Sequence, residues 1–394
     1  MGIKIAVIGD LHFGIAATER EAKELDAFLG FIKTHDLDII QFNGDYYDHK
    51  LSLGEPAAIA GMKFFSDVLN VAAEKGIKIR MIEGTQSHDR FQPRIFNEFI
   101  PDGPDGKPLI DYRLYETVGA EEIDGLNILF VPEEYPMNID EYYAPYKEGR
   151  YDLMFVHGTW DFINFGKTID NDRNDMHTAP VFKYGEWKDA LEHGLCVSGH
   201  IHGRHGFKDK GGTKIIYPGS FTAWSFDQIS ERGFIYIDFD PETKKFEYEL
   251  INNDASPKYA NLDIKDLGSD LASADVNDIK ARIEEQSKKV DFIKVSLDGL
   301  SDEKLMIIKE LYKGNPTIKV EVPQKEMSML TESADKRFLK YDYLLNDTLP
   351  VDQAVQRFIK EEFGKDLALD VIDANLDIQI KAKKEGDDGS ESAE

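Results

Sequence analysis

The sequence predicts an α/β sandwich, followed by a small second α/β domain and a helical C-terminal segment. Short apolar runs alternate with helical patterns at the start of the chain, and strand-like runs with few helices between them follow. The alternation then resumes after a polar break that contains a proline. A chain of 394 residues is also too long for one ordinary core, which favours two or three domains.

The first domain is predicted from two kinds of strand. The runs "IKIAVIG", "LDIIQFNG" and "IKIRMIEG" alternate with the helical stretches "ATEREAKELDAFLGFIKTH" and "EPAAIAGMKFFSDVLNVAAEKG", which is typical of a βαβαβ unit. The runs "LNILFVP", "YDLMFVHG", "LCVSGH", "TKIIYPGS" and "RGFIYIDFD" then predict a mixed or antiparallel sheet. This domain is expected to end after "KFEYELINND" and to span residues 1–253.

The C-terminal third is predicted to hold three further segments. Residues 254–325 read as strand, helix, strand, helix and strand, which indicates a small α/β domain. Residues 326–384 are helical in pattern, and "LPVDQAVQRFIKEEFG" has an apolar face that fits either packing on its own domain or binding a partner. Residues 385–394, "EGDDGSESAE", predict a disordered acidic tail.

The composition limits the partners and the compartment. With 47 basic and 74 acidic residues the net charge is −27, so the surface in general repels polyanions. A local exception combines Arg204, Lys208, Lys210 and Lys214 against Asp209, and is either an ordinary basic hairpin or a nucleic-acid contact. The single cysteine, the lack of a leader and the lack of an apolar run of roughly 20 residues predict a cytoplasmic protein without membrane association.

The residues able to carry chemistry follow the predicted strands. They are Asp10 and His12, Asp45 and Asp48, His88 and Asp89, His157, and His200 with His202. A lone histidine is usually structural, but the carboxyl ends of parallel strands share one edge of a sheet, so this ordered set predicts a common site. Mixed carboxylates and imidazoles suit manganese, iron or zinc, and the donors exceed the need of one ion. Two ions that share a carboxylate predict phosphoester hydrolysis.

The order D-x-H, G-D-x-x-D, G-(N)-H-D, H-G, G-H-x-H resembles that of the calcineurin-like metallophosphoesterase superfamily over roughly residues 3 to 240. The resemblance implies a four-layer α/β/β/α sandwich. Within it, "IIYPGSFTAWSFDQISERGFIYIDFD" is similar to the corresponding stretch of the SbcD-type nucleases, the bacterial and phage relatives of the Mre double-strand-break repair nuclease. That subgroup also carries a small α/β cap, here 254–325, and a C-terminal helical segment.

The resemblance implies a role for each residue of the ordered set. Asp10, His12 and His202 would bind one ion and His157 and His200 the other, with Asp45 bridging the two. His88 would be no ligand but would protonate or steady the leaving oxygen, a role that suits an imidazole, and Asp48 would orient His88 by a hydrogen bond. The ions would be two Mn²⁺, with Mg²⁺ as the alternative, and Arg204 and His205 are expected to contact the substrate.

The turn "EGTQSHDR" departs from the superfamily pattern. There the turn reads Gly-Asn-His, and the asparagine amide oxygen binds the second ion. Here two more residues separate Gly84 from His88. Ser87 is expected to replace the asparagine, with Gln86 or a water molecule as the alternatives.

The function expected from the resemblance is a two-metal DNA nuclease, with double-strand exonuclease and single-strand or hairpin endonuclease activity. It would act with an SMC-like ATPase of the SbcC type, bound at 326–384, in recombination, repair or replication-associated DNA processing. A homodimer in a bacterial or phage-infected cell is expected. The alternatives are a nucleotide or protein phosphoesterase that uses the same metals and a scaffold with a degenerate site.

Overall fold

The structure is a computed structural model that describes residues 2–15, 18–103, 106, 108–163, 181–226, 228–263, 275–297, 300–321, 356 and 360. The chain divides into two compact units, one of Met1–Leu262, Asn277–Val295 and Gly314–Lys319, the other of Asp263–Val276, Ser296–Lys313 and Val320–Glu394. Apart from Gln356 and Lys360, the predicted helical segment 326–384 and the acidic tail 385–394 lie outside the described residues.

The described helices are α1 Thr18–Thr34, α2 Pro56–Lys75, α3 Ile139–Lys147, α4 Tyr184–Trp187, α5 Val276–Ser287 and α6 Asp302–Leu311, with a 3₁₀ helix at Gln92–Phe99. The strands are β1 Ile3–Ile8, β2 Ile39–Asn43, β3 Lys78–Ile82, β4 Tyr112–Tyr115, β5 Gly119–Ile123, β6 Leu126–Val131, β7 Leu153–His157, β8 Thr159–Trp160, β9 Val181–Phe182, β10 Leu195–Gly199, β11 His205–Asp209, β12 Gly212–Tyr217, β13 Gly233–Asp240, β14 Lys245–Asn252, β15 Tyr259–Asp263, β16 Phe292–Ser296 and β17 Ile318–Glu321. Among these helices, none has the length and apolar character needed to cross a bilayer.

Two mixed sheets of six described strands each form the first unit. In the first sheet the order is β14-β13-β1-β2-β3-β4, with β1 to β4 parallel and β13 and β14 antiparallel. In the second sheet the order is β11-β12-β10-β7-β6-β5, with parallel central strands and antiparallel strands at both edges. The predicted βαβαβ unit and the predicted mixed sheet are both present.

The alternation of side chains along β1 shows how the layers pack. Ile5 and Val7 point into the core between the two sheets, whereas Ala6 and Ile8 point toward the core under α1 and α2. A third core covers the outer face of the second sheet and contains Tyr143 of α3 and Trp187 of α4. The central strands are buried on both faces, which is why they are continuous apolar runs. The predicted four-layer α/β/β/α sandwich is confirmed.

An ion pair links one strand of each sheet. Arg80 on β3 donates from Nε and Nη2 to the carboxylate of Glu121 on β5, at 2.8 and 2.7 Å, and its Nη1 lies 2.8 Å from Asp111. The Arg80 side chain is 3% exposed. The bidentate geometry fixes the relative position of the two strands, because a buried guanidinium must keep its carboxylate partner.

Glu121→Gln is expected to lower the free energy of unfolding at pH 7 by about 2 kcal/mol, because it leaves a buried guanidinium with a weaker acceptor. Burial raises the pKa of Glu121, but hydrogen bonds from Arg80 and Tyr115 outweigh this and lower it below the ordinary 4.5. The ionised form therefore stabilises the fold above that pH, and the contribution is lost as pH falls through the folded pKa. Urea unfolding should show the deficit of the variant shrinking below about pH 4.

The exposed neighbour Glu122 provides the matched control for this prediction. Glu122→Gln is expected to change the free energy of unfolding by less than about 0.5 kcal/mol at either pH. Equal effects of the two substitutions, or a Glu121→Gln deficit that does not depend on pH, would contradict the account of the pair.

The strand and helix order predicted for 254–325 is present. Strands β15, β16 and β17 form a three-stranded sheet in that order, and α5 and α6 lie between them in the chain. Tyr259 of β15 stacks on Phe292 of β16 with ring centroids 4.8 Å apart, and meets Phe226 edge-on at 5.3 Å. The boundary at residue 253 and the role of this segment as a cap stay predictions.

Candidate metal centre

The predicted donors lie at the carboxyl ends of parallel strands. Asp10 and His12 follow β1, Asp45 follows β2, His157 ends β7, and His200 and His202 follow β10. The structure brings them together in two groups, Asp10, His12, Asp45 and His202, and Asp45, His157 and His200. Within each group one donor atom per residue lies within 4.8 Å of all the others. The two groups share Asp45, the residue expected to bridge two ions.

In the first group Asp10, His12 and Asp45 are buried and His202 is partly exposed. His12 Nε2 lies 3.1 Å from His202 Nε2 and 3.6 Å from Asp45 Oδ2, and His202 Nε2 lies 4.0 Å from Asp10 Oδ1. Asp10 and His12 are each 1% exposed. Two imidazole nitrogens facing each other beside two buried carboxylates suit a cation held between them, because neither carboxylate has a lysine or arginine partner among the described residues.

The second group surrounds the other side of Asp45. Its Oδ2 lies 3.2 Å from Nε2 of His157, whose ring is fully buried. The Nδ1 of His157 donates to the main-chain carbonyl of Asn43 at 2.9 Å, which points Nε2 at Asp45. The Gln228 amide nitrogen lies 3.3 Å from Nδ1 of His202, on the side of the ring away from Nε2, which faces the first group. Such outer contacts set the orientation of metal-binding imidazoles.

The backbone at the donors is in an uncommon conformation. Asp10, His12, Asp45 and His200 have φ of 48°, 49°, 49° and 87°, in the left-handed region that costs energy for residues other than glycine. Hydrogen bonds between the loops hold this conformation, since Asp10 N donates to Gly44 O and His12 N to Asp45 O, both at 3.0 Å. His200 N also donates to Asp10 Oδ1 at 2.9 Å. Backbone strain that is concentrated at the residues of one cluster is a feature of functional sites.

The pKa shifts show what these donors would do without a metal ion. Burial lowers the pKa of His157, but Asp45, Asp10 and Glu133 raise it well above its usual value. Burial raises the pKa of Asp45, but His157 and His12 lower it far more. Burial, helped by His12, lowers the pKa of His202 to about 4. Without a metal ion, the carboxylates thus favour the protonated form of His157. A divalent ion would take the place of such a proton, so the donor set fits the expected metals.

The turn at Gly84 differs from the expectation for Ser87. Ser87 and Gln86 are exposed, and neither side chain hydrogen-bonds to the cluster. Instead Thr85 Oγ1 lies 3.3 Å from Asp45 Oδ2, 3.5 Å from His157 Nε2 and 3.4 Å from His200 Nδ1. Thr85, and not Ser87, therefore lies beside the donors, where the asparagine was expected. The two extra residues come after this position, because His88 N and Asp89 N both donate to Thr85 O and close a single helical turn.

Asp89 fixes that turn against the preceding loop. Its carboxylate accepts from Gly84 N at 2.8 Å and from Tyr47 N at 3.0 Å. A Cβ on Gly84 would lie 2.1 Å from Asp45 N, so the turn can approach the bridging residue only with glycine here. Burial, helped by Asp45, raises the pKa of Asp89 to about 6. Asp89 therefore acts on the turn geometry and not on an ion.

His88 lies beside the first group, and together with His12 and Asp48 it forms a third set of possible ligands, with one atom of each within 4.8 Å of the others. Its ring centroid is 4.8 Å from that of His12, its side chain is 31% exposed, and Nδ1 donates to the main-chain carbonyl of Asp48. The Asp48 carboxylate lies 3.9 Å from His88 Nδ1, and contacts His12 Nδ1 at 3.3 Å and His49 Nδ1 at 3.0 Å instead. Asp48 thus orients His88 through its carbonyl, and not through the expected side-chain hydrogen bond.

The two predicted substrate contacts lie outside the cluster. The Arg204 guanidinium already has partners within the protein. It donates to Asn252 Oδ1 at 2.8 Å and to Pro218 O at 3.3 Å, and it pairs with Glu231 at 3.2 Å. His205 begins β11 and is exposed. The basic stretch is also weaker than its sequence indicates, because Lys214 is buried and donates to two main-chain carbonyls. Its exposed cations are Lys208 and Lys210, which favours the ordinary-hairpin interpretation.

Two residues of the site were missed by the sequence analysis. Trp224 is half-buried, with its ring centroid 4.9 Å from those of His12 and His202. Glu133 is 4% exposed and lies 3.2 Å from His200 Nδ1 through Oε2. Glu133 follows β6, a neighbour of β7 in the second sheet, so the rule that selected the other donors also applies to it.

A donor set of carboxylates and imidazoles, at the strand ends of a two-sheet sandwich and divided into two groups around one aspartate, defines a metal-dependent hydrolase. The chain belongs to the calcineurin-like phosphoesterase family, whose sequence pattern matches residues 3–204. Family membership implies hydrolysis of phosphoesters with divalent metal ions. It agrees with the resemblance drawn from the ordered motifs at the level of the superfamily.

Solved structures provide two further likenesses. A dimetal phosphatase from Danio rerio has 8% sequence identity and a TM-score of 0.34, with 60% of this chain and 92% of that chain covered. The Pseudomonas putida nuclease MPE has 15% identity and a TM-score of 0.25, with 59% and 84% covered. No curated protein matches the sequence.

Proposed function

We propose that this chain is a two-metal DNA nuclease. It hydrolyses phosphodiester bonds at the two groups of donors that share Asp45, together called the Asp45 cluster. The observation that carries the proposal is the sharing of Asp45 by two groups of mostly buried donors. One group suits a single ion, whereas two groups with a common carboxylate suit a pair of ions about 3.5 to 4 Å apart, as in other two-metal phosphoesterases. Manganese fits best, because the donors are both oxygen and nitrogen.

Each group has its own donors in this proposal. Asp10, His12 and His202 hold the first ion, and His157, His200 and Thr85 hold the second, with Asp45 between them. When bound, the ions supply a Lewis acid for the phosphoryl oxygens and an activated water as the nucleophile. Contacts with other parts of the protein help to place two of these imidazoles, since Asn43 contacts Nδ1 of His157 and Gln228 contacts Nδ1 of His202.

His88 is placed to transfer a proton to the leaving oxygen. Because Nδ1 donates to the Asp48 carbonyl, Nδ1 carries a proton in either charge state of the ring, and Nε2 is the atom that exchanges one. The ring is partly exposed and adjoins His12, so a substrate at the first ion can reach it. His88 is therefore the general acid of the proposal, and Asp48 positions it.

DNA is proposed as the substrate on two grounds. The stretch from Ile215 to Asp240 is similar to that of SbcD-type nucleases, and it contains Trp224. The half-buried indole lies against His12 and His202, where it offers a face on which a base can stack. The acidic surface as a whole repels DNA, so affinity would come from this site, from the proposed cap at 254–325 and from a partner.

The partners remain part of the same proposal. An SMC-like ATPase of the SbcC type would bind the helical region at 326–384 and supply DNA affinity. A homodimer in the cytoplasm of a bacterial or phage-infected cell fits the subgroup that the sequence resembles. Co-purification with such an ATPase, lost on truncation after residue 325, would support this arrangement, and retention would contradict the docking site.

The experiment that tests the function compares the activity of one protein preparation on three substrates. Purified full-length chain with Mn²⁺, alone and with the ATPase partner, is given linear double-stranded DNA, nucleoside monophosphates and a phosphopeptide. The proposal expects degradation of the DNA that stops on chelation of the metal. Hydrolysis of the monophosphates or the phosphopeptide without DNA cleavage would overturn the nuclease proposal in favour of a phosphatase of the same family.

A further inference from the structure

Glu133 points its carboxylate into the second group of donors. It lies two residues beyond β6, and its side chain is fully buried. Oε2 lies 3.2 Å from His200 Nδ1, 4.0 Å from His157 Nε2 and 3.2 Å from Thr85 Oγ1. The Tyr135 hydroxyl donates to the other oxygen, Oε1, so the carboxylate has a fixed orientation.

Among the described residues, the basic neighbours of the buried Glu133 carboxylate are the imidazoles of His200 and His157. In the described part of the chain no lysine or arginine pairs with it. A buried carboxylate is costly unless a cation is close. The cation that the site is built to hold is a divalent metal ion.

The distances agree with donors that share one ion. Around an ion with bonds of about 2.1 Å, neighbouring ligand atoms lie roughly 3.0 to 3.4 Å apart. The separations of Glu133 Oε2 from His200 Nδ1 and of Asp45 Oδ2 from His157 Nε2 are both 3.2 Å. Thr85 contributes only a neutral hydroxyl, which is a weak ligand, so the second group otherwise depends on the shared Asp45 for its negative charge.

We propose that Glu133 supplies an anionic ligand to the second ion, together with His157, His200 and the shared Asp45. This rests on the two-ion site of the proposed function, but not on DNA as the substrate. A carboxylate belonging to the second ion alone strengthens its binding and favours oxygen-seeking ions such as Mn²⁺ and Mg²⁺. Glu133 thus compensates for the loss of a stronger neutral ligand in the turn at Gly84.

Titration of the metal-free full-length chain with Mn²⁺ by calorimetry tests the proposal. The wild type is expected to show two binding events, and Glu133→Gln is expected to weaken one of them by at least about tenfold and leave the other unchanged. Glu134→Gln is the matched control, because the Glu134 carboxylate faces Tyr142 and Val118 N, at 2.6 and 2.8 Å. Wild-type affinity for both ions in Glu133→Gln would overturn the proposal.

A crystal structure of the manganese-loaded wild type provides a second test that does not depend on how the variant folds. The proposal expects a Glu133 oxygen within about 2.4 Å of the second ion, and a distance beyond about 3.5 Å would overturn it. Failure of the nuclease proposal would give a different result from failure of the Glu133 proposal. A chain that binds both ions through Glu133 but leaves DNA intact would overturn only the substrate.

Discussion

Asp45→Asn is expected to lower the phosphoesterase rate by on the order of 10³-fold or more, which corresponds to about 4 kcal/mol of lost transition-state stabilisation. Asp45 belongs to both groups of donors, and its Oδ2 lies 3.6 Å from His12 Nε2 and 3.2 Å from His157 Nε2. An asparagine has the same shape but no charge, so it cannot bridge two cations as an anion. Both ions should therefore bind more weakly, and metal analysis after desalting should show a loss from both groups.

A matched control for this substitution is Asp67→Asn on α2. Among the described residues Asp67 pairs with Lys63, four residues away on the helix surface, at 2.7 Å. The control should keep the wild-type rate and metal content. Wild-type affinity for two ions in Asp45→Asn would show that Asp45 is not the bridging residue.

His88→Ala is expected to lower the rate of DNA cleavage by about 10² to 10⁴-fold while leaving the metal content unchanged. The reason is that the proposal assigns no ion to His88, whose Nδ1 donates to the Asp48 carbonyl and whose side chain is 31% exposed at the edge of the first group. The loss should be much smaller with bis(p-nitrophenyl) phosphate, because nitrophenolate leaves without needing a proton. Rates on both substrates, with metal analysis of the same samples, check the expectation.

The exposed His193 provides the control, because it lies near Glu192 before the start of β10, at the opposite end of that strand from His200. His193→Ala should match the wild type on both substrates. A parallel fall of metal content and activity in His88→Ala would identify His88 as a ligand, and an equal loss on both substrates would argue against proton transfer to the leaving group.

The part of the site that could be predicted from the sequence is the part controlled by strand order. Asp10, Asp45 and His157 follow or end apolar runs, and parallel pairing carries their side chains to one edge without further information. The buried strands were found for the same reason, since strands covered on both faces are continuous apolar runs. Edge strands β4, β5 and β11 were missed, because their partly exposed residues include charged ones and show no such run.

Loop geometry is the part that could not be predicted. Ser87 stands next to His88 in the sequence, but the helical turn after Thr85 carries Ser87 outward, and only the backbone hydrogen bonds reveal this. Arg204 lies in a basic stretch of the kind that contacts DNA. However, its guanidinium contacts Asn252 and Glu231, which are far along the chain. Glu133 could have been found by the strand-end rule, but the two glutamates after the proline, Glu133 and Glu134, match no motif that distinguishes either of them.

The measurement that tests the central claim most directly is the number of manganese ions bound per chain. Full-length protein is stripped of metal, loaded with excess Mn²⁺, desalted and analysed for manganese and protein in the same sample. The Asp45 cluster predicts two ions per chain, since its donors form two groups around one shared carboxylate. One ion or none at saturating Mn²⁺ would contradict the two-metal site, and with it the mechanism proposed for the chain.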